Sequence, residues 1–219
     1  MNKFLAAALL AMSAMSIQTM DAQTLSPSTK WHWDKGTIVI DTPARPAGQE
    51  HVLGLTAAPM KTVRVGFVGL GMRGPSAVIR FCQIPGVEIV ALCDYEEGRA
   101  EAQQVHLRNA GLAPAAIYSG EKGYEELCKR PDVDLIYIAT DWNHHFPVAK
   151  FAMEIGKHTA IEVPSAMNLE QCWDLIDLSE KTRLHCFILE NCCYDDYEMK
   201  SLSMAQDGLC VEVIRAEGA

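Results

Sequence analysis

Three glycines and one acid carry the most legible chemistry in this chain. Gly69, Gly71 and Gly74 lie in Gly69-Leu70-Gly71-Met72-Arg73-Gly74, and Asp94 follows about twenty residues after the last of them. Glycine-rich turns alone are common. This one follows the strand-like run Val63–Val68 and opens an apolar-spaced segment, Ala77, Val78, Phe81 and Cys82, with Pro75 at its start. In that setting Gly69 permits a tight turn, Gly71 lets the backbone approach a pyrophosphate, and Gly74 lets helix and strand pack closely. Free amides at the helix N-terminus then face the phosphates. Asp94 accepts hydrogen bonds from the adenosine ribose hydroxyls and repels a 2′-phosphate, which favours NAD over NADP by at least about tenfold.

Elements of two periods must position these residues. A second strand, Val87–Cys93, ends in Asp94, and further strands are expected over 134–140, 159–161 and 186–189. Helices are expected over 98–109, stopped by Gly111, over 146–155, stopped by Gly156, and over 169–182, with a helix or turn over 119–129 before Pro131. Strands separated by helices specify an α/β, doubly wound parallel (Rossmann) sheet with ligands at the C-terminal strand ends. The segments 69–74, 140–145, 162–165 and 190–194 fall at those ends, together with Asp94.

Composition narrows the partners. Among 219 residues, 28 Asp and Glu outweigh 19 Lys and Arg for a net charge of −9, which argues against nucleic acid or an anionic membrane. Residues 1–22 read as a secretory signal: Lys3, an apolar run from Phe4 to Met15, and a small residue, Ala22, at the cut. The run is too short for a membrane span, so an exported protein, periplasmic or secreted, is expected. Residues 23–60 form an extended leader with a short strand at 37–40, and 61–194 the nucleotide-binding domain. Eight cysteines (Cys82, Cys93, Cys128, Cys172, Cys186, Cys192, Cys193, Cys210) show no CxxC spacing and read as buried small hydrophobes rather than a disulfide framework. His144 and His145 are adjacent, point apart and lack a third ligand, so no metal site is expected.

The strand-end motifs resemble the Gfo/Idh/MocA family, and within it the glycoside hydrolase family 109 group, similar to NAD-dependent α-N-acetylgalactosaminidases. The broad likeness covers 63–219. The narrower one rests on Arg45-Pro46-Ala47-Gly48-Gln49 with Val52-Leu53-Gly54-Leu55-Thr56, on Gly69–Gly74, on Trp142 with His145, on Glu162-Val163-Pro164, and on Leu189-Glu190-Asn191-Cys192-Cys193-Tyr194. Sugar dehydrogenases of the broad family usually carry Glu-Lys-Pro where this chain has Val163, and valine can neither donate a proton nor polarise an oxygen. By resemblance, NAD contacts fall to Met72, Arg73, Asp94, Trp142, Asn143, His144, His145, Glu162, Val163 and Asn191. Asn143 and His144 depart from the group's pattern. Trp142 follows a strand end where the nicotinamide half should lie, which suits a stacking or wall role. Tyr194 stands either on the substrate side or as a cap before a helix over 195–205.

The resemblance also implies what is missing. Residues 195–219 read as a linking helix and the first strand, 209–216, of an α+β antiparallel-sheet domain cut off at Ala219, and the catalytic residues are expected beyond it. The implied activity is an exported glycosidase in which tightly bound NAD oxidises the sugar transiently, permitting elimination, water addition and re-reduction. An alternative is an NAD-dependent sugar or inositol dehydrogenase, and a third a non-catalytic nucleotide-binding protein. The expected partner is a small-molecule glycoside; a homo-oligomer is left open.

Overall fold

A computed structural model describes residues 31–40 and 42–209. The expected signal segment and its cut, the first part of the leader, Cys210 and the expected strand beyond Leu209 lie outside them. The chain divides into two compact units, 1–42 and 43–219. In the first, β1 (Trp31–Asp34) and β2 (Thr37–Ile40) pair antiparallel through a turn at Lys35-Gly36, both at positive φ (49° and 85°). The strand at 37–40 was expected; its partner β1 was not.

The second unit is a parallel six-stranded sheet flanked by helices. In chain order it contains β3 (Val63–Val68), α1 (Gly74–Phe81), β4 (Val87–Asp94), α2 (Glu97–Asn109), β5 (Ala116–Ser119), α3 (Gly123–Cys128), β6 (Leu135–Ile138), α4 (Trp142–Glu154), β7 (His158–Ile161), α5 (Leu169–Thr182) and β8 (Cys186–Ile188). A 3₁₀ turn (Asn191–Tyr194) and α6 (Asp196–Gln206) follow. The strand order β5-β4-β3-β6-β7-β8 puts the first strand in the middle and reverses direction between β3 and β6. That reversal parts the connections and opens a crevice at the C-terminal strand ends.

Period-two alternation along the central strands feeds two cores. Val65 and Phe67 of β3 join Leu92, Leu107 and Tyr137 on one face; Val68 joins Leu127, Ile136, Ile138 and Ile161 on the other. Phe67 stacks on Tyr137 at 4.8 Å, and Phe81 meets both rings edge-on at 5.2 and 5.3 Å. Such aromatic pairs add roughly 0.5–1.5 kcal/mol each beyond burial. Seven described cysteines are free; Cys93 and Cys128 are buried, while Cys172, Cys192 and Cys193 are exposed, against the expectation that all pack inside. Burial pushes the Cys93 and Cys128 thiols up to about 12. Among the described residues no helix is long and apolar enough to cross a membrane.

Two expected boundaries are corrected. The segment Ala116–Ser119 is a strand, where only a helix or turn from Ser119 was expected; four residues carry little periodicity, and pairing with β4 supplies the order. Helix α4 begins at Trp142, not Phe146. The side chain of Asp141 instead caps the helix by accepting the Asn143 N–H at 3.0 Å, and Pro147 lies inside.

Charge pairs tie the peripheral segments down. Arg64 grips Asp134 at 2.7 and 2.9 Å, at the start of β3. In the leader, Arg45 is bidentate to the buried Glu180 of α5 at 2.8 and 2.9 Å, and Gln49 adds a bond at 3.0 Å. The hydrogen bonds from Arg64 and Arg45 hold the carboxyls of Asp134 and Glu180 below the usual carboxylate range. A carboxyl that binds its proton less readily folded than unfolded contributes stability above the unfolded value of about 4, and loses it as pH falls through the folded value. The unfolding midpoint should therefore drop as pH is taken from about 5 to about 3. Asp134→Asn should lower the neutral-pH midpoint by roughly 2–5 °C and flatten that acid limb. Thermal melts across this range check it, and an unchanged slope in the variant would exclude Asp134 from the acid response.

Candidate dinucleotide-binding site

The glycine loop is built by close approach. Gly69 sits at φ +94°, and a Cβ there would fall on the Ala139 carbonyl and the Thr140 nitrogen. Its own N–H donates to the Cys93 carbonyl at 2.9 Å, so the loop threads between the ends of β4 and β6. A Cβ on Gly74 would strike the Gly69 carbonyl oxygen, which makes that residue the closest contact between loop and helix α1. Gly71 differs. Only Arg99 Nη1 comes within 4 Å of its Cβ position, at 3.8 Å, so this part of the backbone faces open space. Gly69 and Gly74 are thus packed against neighbouring backbone, while Gly71 is left open.

Asp94 is buried at 6% exposure, and its carboxylate does more than the sequence suggested. One oxygen accepts the Leu70 N–H at 2.7 Å; the other accepts the Glu96 N–H at 3.0 Å and lies 3.5 Å from Arg99 Nη1. It thus fastens the glycine loop to the second strand and shapes the turn into α2. A carboxylate has about four acceptor sites, so capacity remains for a ribose hydroxyl.

These elements enclose a cleft of about 600 Å³. Of the residues singled out from sequence, Gly69, Gly71, Met72, Asp94 and His144 line it. Thr140 and Asp141, from the strand-end segment 140–145, also line it, as do Tyr95, Arg99, Glu121 and Tyr124, which sequence reasoning had not assigned. Tyr95 and Arg99 follow Asp94 within a turn and could have been found from that spacing. Glu121 and Tyr124 could not, because they depend on the unexpected strand β5.

The remaining candidates lie outside this cleft. Trp142, Asn143, His144 and His145 occupy the first turn of α4 rather than a strand-end loop, which spreads them around the helix. Of these four, His144 alone lines the cleft, and its side chain is exposed. His145 is buried, with Nδ1 2.7 Å from the Pro164 carbonyl and Nε2 3.1 Å from that of Thr140, so its ring ties the ends of β6 and β7 together. Glu162, also buried, accepts the Tyr137 hydroxyl at 2.6 Å; burial, then this bond to Glu162, pushes the Tyr137 phenol up. Trp142 is 60% exposed, Val163 and Asn191 are surface-accessible, and Tyr194 is 70% exposed just before Asp195, the N-cap of α6. Arg73 precedes α1 and Gly74 opens it.

A family model described as an oxidoreductase family with an NAD-binding Rossmann fold, Gfo/Idh/MocA, matches residues 63–189. The chain belongs to this family. It is 76% identical over 205 residues to Glycosyl hydrolase family 109 protein 3 of Phocaeicola vulgatus, covering 94% of this chain and 37% of that protein. It is 51% identical over 220 residues to Glycosyl hydrolase family 109 protein 1 of Bacteroides thetaiotaomicron, covering 100% of this chain and 46% of that protein. The chain thus spans less than half the length of these curated relatives. Among solved structures, myo-inositol dehydrogenase from Lactobacillus casei in complex with NAD(H) and myo-inositol aligns with a TM-score of 0.59 at 23% identity, over 68% of this chain and 42% of that one. That likeness is one of fold.

The Gfo/Idh/MocA sheet in this chain fits a dinucleotide on its own geometry: an open backbone at Gly71, a buried acid at the second strand end, and a crevice at the reversal of strand order. The loop anchor yields a prediction. Asp94→Ala removes the acceptor of two backbone N–H groups and should destabilise the ligand-free protein by about 1–3 kcal/mol. It should also weaken NAD at least about tenfold, and NADP with it, since the loop serves both. Melts without ligand plus calorimetric titration check this; an unchanged melt would show that Asp94 does not hold the loop.

Proposed function

We propose that this chain is the cofactor-holding part of an exported glycosidase that uses tightly bound NAD. One observation carries the reading: 51–76% identity, over nearly the whole chain, to proteins named glycosyl hydrolase family 109, on an NAD-binding Rossmann fold. Val163, where the related sugar dehydrogenases usually carry lysine, supports it, because a valine offers no acid or base beside a hydroxyl. Bound NAD would supply a reversible hydride acceptor, which suits a net hydrolysis that begins and ends at the same oxidation state.

The chain's own residues bind and orient in this reading. Gly69–Gly74 and Asp94 hold the adenosine diphosphate end. Glu162, fixed by Tyr137, and the exposed Trp142, Val163 and Asn191 are assigned to the nicotinamide side. A small-molecule glycoside, of the α-N-acetylgalactosaminide type, is the proposed substrate, and export is proposed from the apolar N-terminus. A retained cofactor suits a compartment without a nucleotide pool.

The family's oxidoreductase description keeps a second reading in play, a sugar or inositol dehydrogenase that works without the lysine. Nitrophenyl α-N-acetylgalactosaminide separates the two. The glycosidase should release nitrophenol with no net NADH at 340 nm, the ordinary absorbance of the reduced nicotinamide. Stoichiometric NADH from a free sugar, with no nitrophenol from any nitrophenyl glycoside, would select the dehydrogenase.

A further inference from the structure

Among the described residues that line the cleft, Arg99 is the only Lys or Arg. Its guanidinium is divided between two acids: Nη1 lies 3.5 Å from Asp94 Oδ1, and Nη2 donates to Glu96 Oε1 at 3.1 Å. Nη1 also comes within 3.8 Å of the point where a Gly71 Cβ would stand, so the group reaches the open side of the glycine loop. Glu96 is the N-cap residue of α2, yet its carboxylate makes no cap bond. Its backbone N–H donates to Asp94 Oδ1 at 3.0 Å. Main chain and side chain of this one residue therefore have separate roles: the amide orders Asp94, and the carboxylate occupies Arg99.

An adenosine ribose at Asp94 brings its 2′ position to this cluster. NAD carries a hydroxyl there, which a carboxylate accepts. NADP carries a phosphate, which carboxylates repel and a guanidinium grips through charge-assisted bonds. We propose that Glu96 is a specificity-determining residue of the cleft: by occupying Arg99 and adding a second carboxylate beside Asp94, it excludes the 2′-phosphate of NADP. Arg99 is the group that admits that phosphate once the Glu96 carboxylate is gone. This rests on the reading that the cleft takes NAD.

The charges around the ribose position favour this division. Glu121 and Asp141 also line the cleft, so Arg99 is the single cation set against several acids. The side chains of Arg99 and Glu96 are 49% and 63% exposed, and an ion pair that exposed is weak. The exclusion therefore comes from the charge that Glu96 adds as well as from the bond it makes, and freeing Arg99 requires no rearrangement of the fold. Selection is thereby separable from loop anchoring, since Asp94 holds the Leu70 N–H and the Glu96 carboxylate does not.

Calorimetric titration at low ionic strength tests the assignment, with NAD against NADP and with AMP against adenosine 2′,5′-bisphosphate, a pair that differs only by the 2′-phosphate. The unaltered protein should prefer NAD to NADP by at least about tenfold. Glu96→Ala should tighten NADP and the bisphosphate roughly tenfold while NAD stays within about threefold. Adding Arg99→Met should abolish that gain. The ligand-free melt of Glu96→Ala should stay within about 2 °C of the unaltered protein, because the backbone N–H remains on Asp94. NADP affinity unmoved by Glu96→Ala, a gain that survives Arg99→Met, an unaltered protein indifferent to the 2′-phosphate, or a melt lowered as far as that of Asp94→Ala overturns the Glu96 assignment alone. Binding of neither NAD nor AMP overturns it together with the cofactor reading.

Discussion

The site depends on one buried hydrogen bond, from the Leu70 amide to the Asp94 carboxylate at 2.7 Å. It joins the loop after the first strand to the end of the second. Without it the loop would be held mainly by the Gly69 N–H on Cys93 and by its contact with Ala139 and Thr140. The acid that should read the ribose therefore also fixes the backbone that should face the phosphates. Binding and positioning are coupled in one side chain, and a substitution there cannot alter one alone.

The rest of the sheet keeps that bond in register. Gly69 fits because Val68, Cys93 and Ile138 stand level in neighbouring strands, with the Ala139 N–H donating to the Val68 carbonyl at 2.8 Å. Underneath, Phe67, Phe81 and Tyr137 pack as one aromatic cluster that supports both the loop and helix α1. Tyr137 then passes the constraint along the sheet, since its hydroxyl holds Glu162 at the end of β7. His145 does the same through two backbone carbonyls. A chain of buried contacts thus connects the adenosine side of the crevice to the strand ends assigned to the nicotinamide.

Much of this was legible in the residues. The glycine spacing, the acid after the second strand and the alternation of periods specify the parallel sheet and its order reversal. Helix 169–182 has the bounds expected from its amphipathic pattern, and the structure adds a side-chain cap from Asn168 at its start. What escaped the sequence depends on tertiary partners. Strand β5 is four residues paired on one side, and its absence from the reading hid Glu121 and Tyr124. The start of α4 was placed at Phe146 because 140–145 was read as a strand-end segment, whereas the Asp141 cap opens the helix at Trp142, and that shift places His144 and His145 on its first turn. The burial of Glu162 and its phenol partner could not be read from Glu-Val-Pro at all.

The most direct test is a crystal structure of the protein grown with NAD. The account requires the adenosine ribose within hydrogen-bond distance of Asp94, the pyrophosphate against the Gly71–Met72 backbone, and the Leu70 N–H still on the Asp94 carboxylate. Adenosine bound away from the β3–β4 strand ends, or Asp94 turned from Leu70 to receive it, would contradict the account.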